Sequence, residues 1–196
     1  MSPDNFNIED KIRQKIEEAQ AILKEIGLPL AQQNERSALT LLAILNLKPK
    51  SPWSAASNPL MGITPIMEFI AQYYGKKYQP NTRETIRRQT VHQFLDASII
   101  VRNPDNLSRP VNSPKTVYQI ENTTLKLIQS YQENSWQDYL KVYLASVETL
   151  KKRYAQEQQM KRIPVKTASG ETILLSPGGQ NLLIQKIINE SSVHRM

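Results

Sequence analysis

Residues 81–120 read NTRETIRRQTVHQFLDASIIVRNPDNLSRPVNSPKTVYQI, and the order of residue types in this stretch decides the fold. Asn81 stands where a helix N-cap belongs, and Glu84, three residues on, is spaced to reach back to its amide in a capping box. Arg83, Arg87, Arg88, Gln89 and Thr90 crowd the first turns, and Val91, Phe94 and Leu95 lean to one side. The pattern predicts a helix over 82–97, strands near 98–102 and 115–120, and a polar, proline-containing loop between them. A helix that is cationic and donor-rich at its start, followed by a two-stranded hairpin, is the order of a winged helix-turn-helix. There the second helix enters the major groove.

Working upstream, residues 64–74 form a helix with Thr64 as cap, Pro65 at its first position and Gly75 as its stop. Gly75 to Pro80 is longer than the tight turn of a simple helix-turn-helix, which favours the winged variant. The segment 48–62 is a loop, broken by Pro49, Pro52 and Pro59, with Trp53 as a packing anchor. Residues 35–47 (ERSALTLLAILNL) are rich in alanine and leucine and predict a central core helix. In residues 7–26, Ile8, Ile12, Ile16, Ala19, Ile22, Leu23 and Ile26 fall at helical spacing on one face. That helix packs on the body or pairs with a partner, and Gly27 and Pro29 end it.

Downstream, Asn122 caps a helix over 123–132. Ser135 caps another over 136–147, whose Trp136, Tyr139, Leu140, Tyr143 and Leu144 share a face. A polar, basic helix follows over about 148–160. Residues 162–175 read as a hairpin around Ser169-Gly170, and Ser176-Pro177 opens a last helix through Leu182, Leu183, Ile184, Ile187 and Ile188. The fold class is therefore mainly α with some β (α+β). A winged-helix domain with an N-terminal helix spans 1–120, a helical connector spans 121–160, and a hairpin with a helix spans 161–196.

The 196 residues carry 25 lysines and arginines against 18 acids, a net charge of +7. The excess is local. Residues 75–88 hold Lys76, Lys77, Arg83, Arg87 and Arg88 against Glu84 alone, and a second basic segment runs over 141–166. A polyanion is the partner such patches suit. The chain has no cysteine, which excludes disulfides, thiol nucleophiles and thiolate metal sites. No run is apolar enough to span a bilayer and no signal-peptide core opens the chain, so a cytoplasmic location is expected.

A catalytic constellation is missing. His92 and His194 are far apart, no HExxH spacing occurs, and Gly178-Gly179 lacks the lysine of a phosphate loop. Pro104-Asp105 has no partner of the acid-any-lysine kind in the next strand, and Pro3-Asp4 stands too close to Glu9-Asp10-Lys11. No catalytic or metal-binding residue is assigned.

The basic helix carries the better chemistry. Arginine can bond guanine O6 and N7 in parallel, and glutamine can do so with adenine N6 and N7. Thr85, Gln89 and His92 fall on one side of a regular helix, so these and Arg88 are the candidates for base edges. Arg83 and Arg87 are the candidates for phosphates. In the wing, Arg109, Asn112, Ser113 and Lys115 surround Pro110 and Pro114 and can reach phosphates or the minor groove. The alternative at each position is a solvated polar surface.

Several runs resemble the N-terminal part of BsuBI/PstI-type restriction endonucleases. They are Gly75 to Tyr78, Pro80 to Thr85, Arg87 to Phe94 and Arg109 to Lys115. Leu45 to Pro49, Ser57 to Leu60, Gly62 to Pro65, Ile163 to Val165 and Leu175 to Gly178 fit as well. The resemblance covers roughly residues 35–190, with Gln180 departing from an expected histidine. It implies a type II restriction-modification enzyme that cuts a CTGCAG palindrome. Its N-terminal helix-turn-helix binds double-stranded DNA, and its C-terminal nuclease uses magnesium. The nuclease carboxylates and lysine have no counterpart here, so a truncated gene product or an excised N-terminal half is expected, with magnesium needed only by the complete enzyme. The expected activity is sequence-specific duplex binding without cleavage by this chain alone, by a homodimer on the palindrome. The alternatives are a split or cryptic magnesium-dependent nuclease and a winged-helix transcriptional regulator.

Overall fold

The computed structural model describes the backbone of residues 3–110, 113–147, 163–166 and 172–175, and side chains over 8–110 and 113–147. Helix α1, Pro3–Glu25, opens the chain. Its isoleucine stripe turns inward. Ala19, Ile22, Leu23 and Ile26 are buried, and Ile12 and Ile16 lean on the same core. The helix therefore packs on the body.

Helix α2, Glu35–Ile44, is the centre of the fold, and every side chain from Ser37 to Ile44 is buried. Asn34 caps it, its side-chain oxygen accepting the Ser37 amide at 3.0 Å. The helix stops at Ile44, short of the expected 47. Leu45 still has helical angles, but Asn46 turns left-handed at φ 53°. The next segment wraps back through a short 3-10 turn, Trp53–Ala55. Trp53 is the expected anchor. Its indole is buried, donates to Glu18 at 2.8 Å, and meets Tyr131 edge-on with centroids 5.2 Å apart.

Helix α3 runs Ile63–Tyr74 and begins one residue earlier than the sequence suggests. Gly62 is its N-cap and no side chain caps it, so Thr64 lies inside the first turn. Pro65 also falls there, where a missing N–H costs nothing. Gly75 ends it in the left-handed region at φ 69°, as expected.

The basic stretch is helical from 82 to 96 in three pieces: α4, Thr82–Ile86; a π turn, Arg87–Val91; and α5, His92–Asp96. The capping box does not form. Asn81 has helical angles and its side chain caps nothing, because Glu84 turns instead to Arg87 and Arg88. Ile86, Thr90, Val91 and Phe94 fix this run to the core. Strands β1, Ile100–Arg102, and β2, Tyr118–Ile120, follow as an antiparallel pair with Arg102 opposite Tyr118. Met61 adds a bridge on the other side of Tyr118 through two 2.9 Å backbone bonds.

Helix α6 is Asn122–Gln129, and its cap is Glu121, not Asn122. The Glu121 carboxylate accepts the Thr123 and Thr124 amides at 2.6 and 3.1 Å, so an acid sits at the positive end of the helix. The helix over 136–147 is α7. Trp136, Leu140 and Tyr143 are buried, but Tyr139 is 53% and Leu144 45% exposed, so the five apolar residues do not share one buried face. The Trp136 indole donates to Glu25 at 2.7 Å, and Leu127, Ile128, Trp136, Leu140 and Tyr143 belong to the same buried cluster as α1, α2 and α3.

Strands β3, Ile163–Lys166, and β4, Thr172–Leu175, pair antiparallel, as a hairpin at this position requires. Its turn, the basic helix near 148–160 and the last apolar helix lie outside the described residues. Among the described residues, no helix is long and apolar enough to cross a membrane.

Candidate nucleic-acid interface

Residues 82–96 and the β1–β2 pair adjoin, with α5 packed on β1 and the charges of Arg83 and Arg87 felt at Tyr118 on β2. Tyr118 on β2 is 3% exposed. Burial pushes its phenol up, and the positive charges of Arg102, Arg87 and Arg83 around it pull the other way. Arg102 lies opposite Tyr118 at the loop end of the strand pair, and the charges of Arg87 and Arg83 act on the same phenol. Arg83 and Arg87 come from the helical run, where they were expected. Arg102 comes from the end of β1 and was not singled out by the sequence. Only the cross-strand register that sets it against Tyr118 reveals it.

The arginines of the helical run are already organised. Arg87 Nε donates to Glu84 Oε2 at 2.9 Å, and its Nη2 donates to Glu84 Oε1. Arg88 Nε donates to the same Oε1. These bonds hold the Glu84 carboxyl down at about 2, well below the usual carboxylate range, and keep the Arg87 guanidinium firmly charged. The Arg88 side chain is 70% exposed and that of Arg87 31%. Arg83 and Gln89 are exposed, while Thr85 and His92 are half-buried.

The π turn changes which residues align. The His92 amide bonds the Arg87 carbonyl, five residues back, so one extra residue is accommodated in the turn. Everything beyond Val91 is rotated by about 100° relative to a continuous α-helix. The regular register that puts Thr85, Gln89 and His92 on one side is interrupted between Gln89 and His92. The turn is held from below: Thr90 is fully buried and its Oγ1 accepts Arg36 Nε from α2 at 3.1 Å. Beside it, Lys76 pairs with Glu35 at 3.3 Å.

In the loop between the strands, Arg109 is engaged internally. Its guanidinium forks onto Asp105 at 2.6 and 3.1 Å and touches Asn103 Oδ1 at 3.0 Å. Asn103 is buried, left-handed at φ 50°, and its Oδ1 also accepts the Val117 amide at 3.0 Å. Ser113 Oγ accepts the Lys115 amide at 3.2 Å, and Lys115 is exposed. Asn112 lies outside the described residues.

The profile of the BsuBI/PstI restriction endonuclease HTH domain matches residues 13–152, a span that takes in both halves of this surface. The chain belongs to the BsuBI/PstI restriction endonuclease HTH domain family. Within that family, it is 54% identical over 175 residues to the type II restriction enzyme BsuBI of Bacillus subtilis, which covers 89% of this chain and 55% of that enzyme. It is 36% identical over 179 residues to the type II restriction enzyme AplI of Arthrospira platensis, covering 91% of this chain and 55% of the relative. The solved SdaI restriction endonuclease superposes with a TM-score of 0.65 at 34% identity, over 89% of this chain and 55% of that one. The chain thus spans about half the length of the BsuBI/PstI relatives it matches.

Proposed function

We infer that this chain is the DNA-reading part of a type II restriction endonuclease and binds a CTGCAG-like palindrome in duplex DNA. The observation that carries this reading is the arginine-rich helical run, with Arg83, Arg88 and Gln89 exposed and Arg87 and Arg88 held by Glu84, next to the strand pair that carries Arg102, in a chain of the HTH family. In this reading β1 and β2 are the wing. Arg83, Arg87 and Arg102 hold phosphates, and Arg88 and Gln89 meet base edges, with Thr85 and His92 flanking them. Lys115, Ser113, Asn112 and Arg109 serve the wing, Arg109 by bracing its loop. Two copies on a two-fold site match the palindrome.

Cleavage is assigned to a part of the enzyme other than residues 13–152. Among the described residues, no group of three or more histidines or carboxylates could hold a metal ion. Phosphate contacts reveal themselves through salt. Arg83→Ala and Arg102→Ala should each weaken binding to a CTGCAG duplex and a scrambled one by similar factors. Each should also flatten the plot of log affinity against log salt by about 0.9 per lost contact. Unchanged affinity and slope in both variants would remove Arg83 and Arg102 from the interface.

A further inference from the structure

The least expected member of the arginine cluster is an acid. Glu84 lies on the outer face of the helical run, half exposed, with both oxygens used by arginines. Its bidentate bond to Arg87 has the fork geometry that a guanidinium also makes with a DNA phosphate. The carboxylate occupies the Nε–Nη2 edge of Arg87 and the Nε of Arg88, so a phosphate must compete for those donors or use the remaining ones, and it lowers the positive charge of the surface where a polyanion lands.

We propose that Glu84 is a specificity-determining residue: it acts as an internal phosphate surrogate that holds Arg87 and Arg88 in place and penalises binding to DNA of the wrong sequence. The proposal rests on the DNA-binding reading above. Non-specific complexes depend almost wholly on phosphate contacts, so they bear the full cost of taking the arginines from Glu84 and of bringing a carboxylate near the backbone. A specific complex has base contacts to offset that cost. It also gains from side chains that are already ordered, because less rotamer freedom is lost on binding. One carboxylate thereby weakens the wrong complex more than the right one, which is how discrimination is built from a repulsive element. Its position three and four residues before the two arginines lets it serve both at once. It also lies in the first turn of α4, where a negative charge suits the helix.

The test compares the wild-type chain with Glu84→Gln on a CTGCAG duplex and a scrambled duplex across a salt series. Glu84→Gln should bind the scrambled duplex about fivefold more tightly, the factor one unit charge roughly 4 Å away gives in water. The gain on CTGCAG should be smaller, so the ratio of the two affinities falls. The salt slope on scrambled DNA should steepen by about 0.9 for each arginine released to a phosphate. With Arg87 and Arg88 both replaced by alanine, Glu84→Gln should give a clearly smaller gain, because only the direct repulsion of the backbone is then relieved. An undiminished gain without the arginines would show that Glu84 merely repels DNA and would overturn the surrogate role. An unchanged ratio and slope, with wild type still preferring CTGCAG, overturns this proposal and leaves the DNA-binding reading standing. Absence of binding to either duplex by both proteins overturns the two together. A thermal melt confirms that Glu84→Gln is folded, and Glu84→Asp, which keeps the charge on a shorter arm, should fall between the two.

Discussion

Arg36 Nε donates to Thr90 Oγ1 at 3.1 Å, joining the central helix to the π turn of the basic helical run across 54 positions of sequence. Thr90 is fully buried, while Arg36 is half-buried and reaches it from α2. Arg36→Ala strands that hydroxyl and should cost about 1–3 kcal/mol of folding stability, against about 0.5–1.5 kcal/mol for Thr90→Val. Urea denaturation of both single variants and the double should give a coupling of roughly 0.5–3 kcal/mol. Strict additivity would mean the two side chains do not hold each other.

Glu18 predicts an acid-sensitive element of stability. Burial pushes its carboxyl up, but hydrogen bonds from Trp53, Gln14 and Gln132 and the charge of Lys15 outweigh it, leaving the group below its ordinary 4.5. A depressed carboxyl stabilises the fold above the unfolded value, and that contribution is lost as pH falls through the folded one. Glu18→Gln should therefore lower Tm clearly at about pH 6, and the gap to wild type should close as pH falls below about 4.5. A gap that stays constant down to strongly acid pH would refute the assignment.

The loop between β1 and β2 depends on Asn103. Its oxygen accepts both the Val117 amide and the Arg109 guanidinium, and its backbone is left-handed, a conformation asparagine tolerates better than alanine. Asn103→Ala should lose about 1–3 kcal/mol for the stranded partners, with roughly 1 kcal/mol or more from the backbone in addition. Asn103→Asp keeps the acceptor and should stay near wild type. Thermal melts decide between them, and an aspartate variant as weak as the alanine one would contradict the account. Hydrogen exchange at the Val117 amide should rise in the alanine variant.

Much of this architecture is legible in the sequence, because its signals are local. The isoleucine stripe of α1, the alanine and leucine content of α2, Gly75 after α3 and the two short strands each follow from spacing and residue type. Three features were not legible, for the same physical reason. The π turn is accompanied by a partner for Thr90 far away in sequence. Arg102 comes beside Tyr118 only through strand register. Tyr139 and Leu144 are exposed because the buried stripe of α7 is narrower than the apolar pattern suggests. The missed caps differ: at two of them a neighbouring acid decides, with Glu121 taking the cap that Asn122 could have supplied and Glu84 leaving Asn81 for two arginines, while α3 starts from Gly62 with no side-chain cap.

The central claim is that this chain reads duplex DNA by sequence, and one measurement tests it most directly. A fluorescently labelled CTGCAG duplex is titrated with the chain at fixed salt, and unlabelled CTGCAG and scrambled duplexes compete for the bound protein. The account predicts that the CTGCAG competitor displaces the label at a concentration at least about tenfold below the scrambled one, a difference of roughly 1.4 kcal/mol. Equal competition by the two duplexes, or no binding even at low salt, would contradict it.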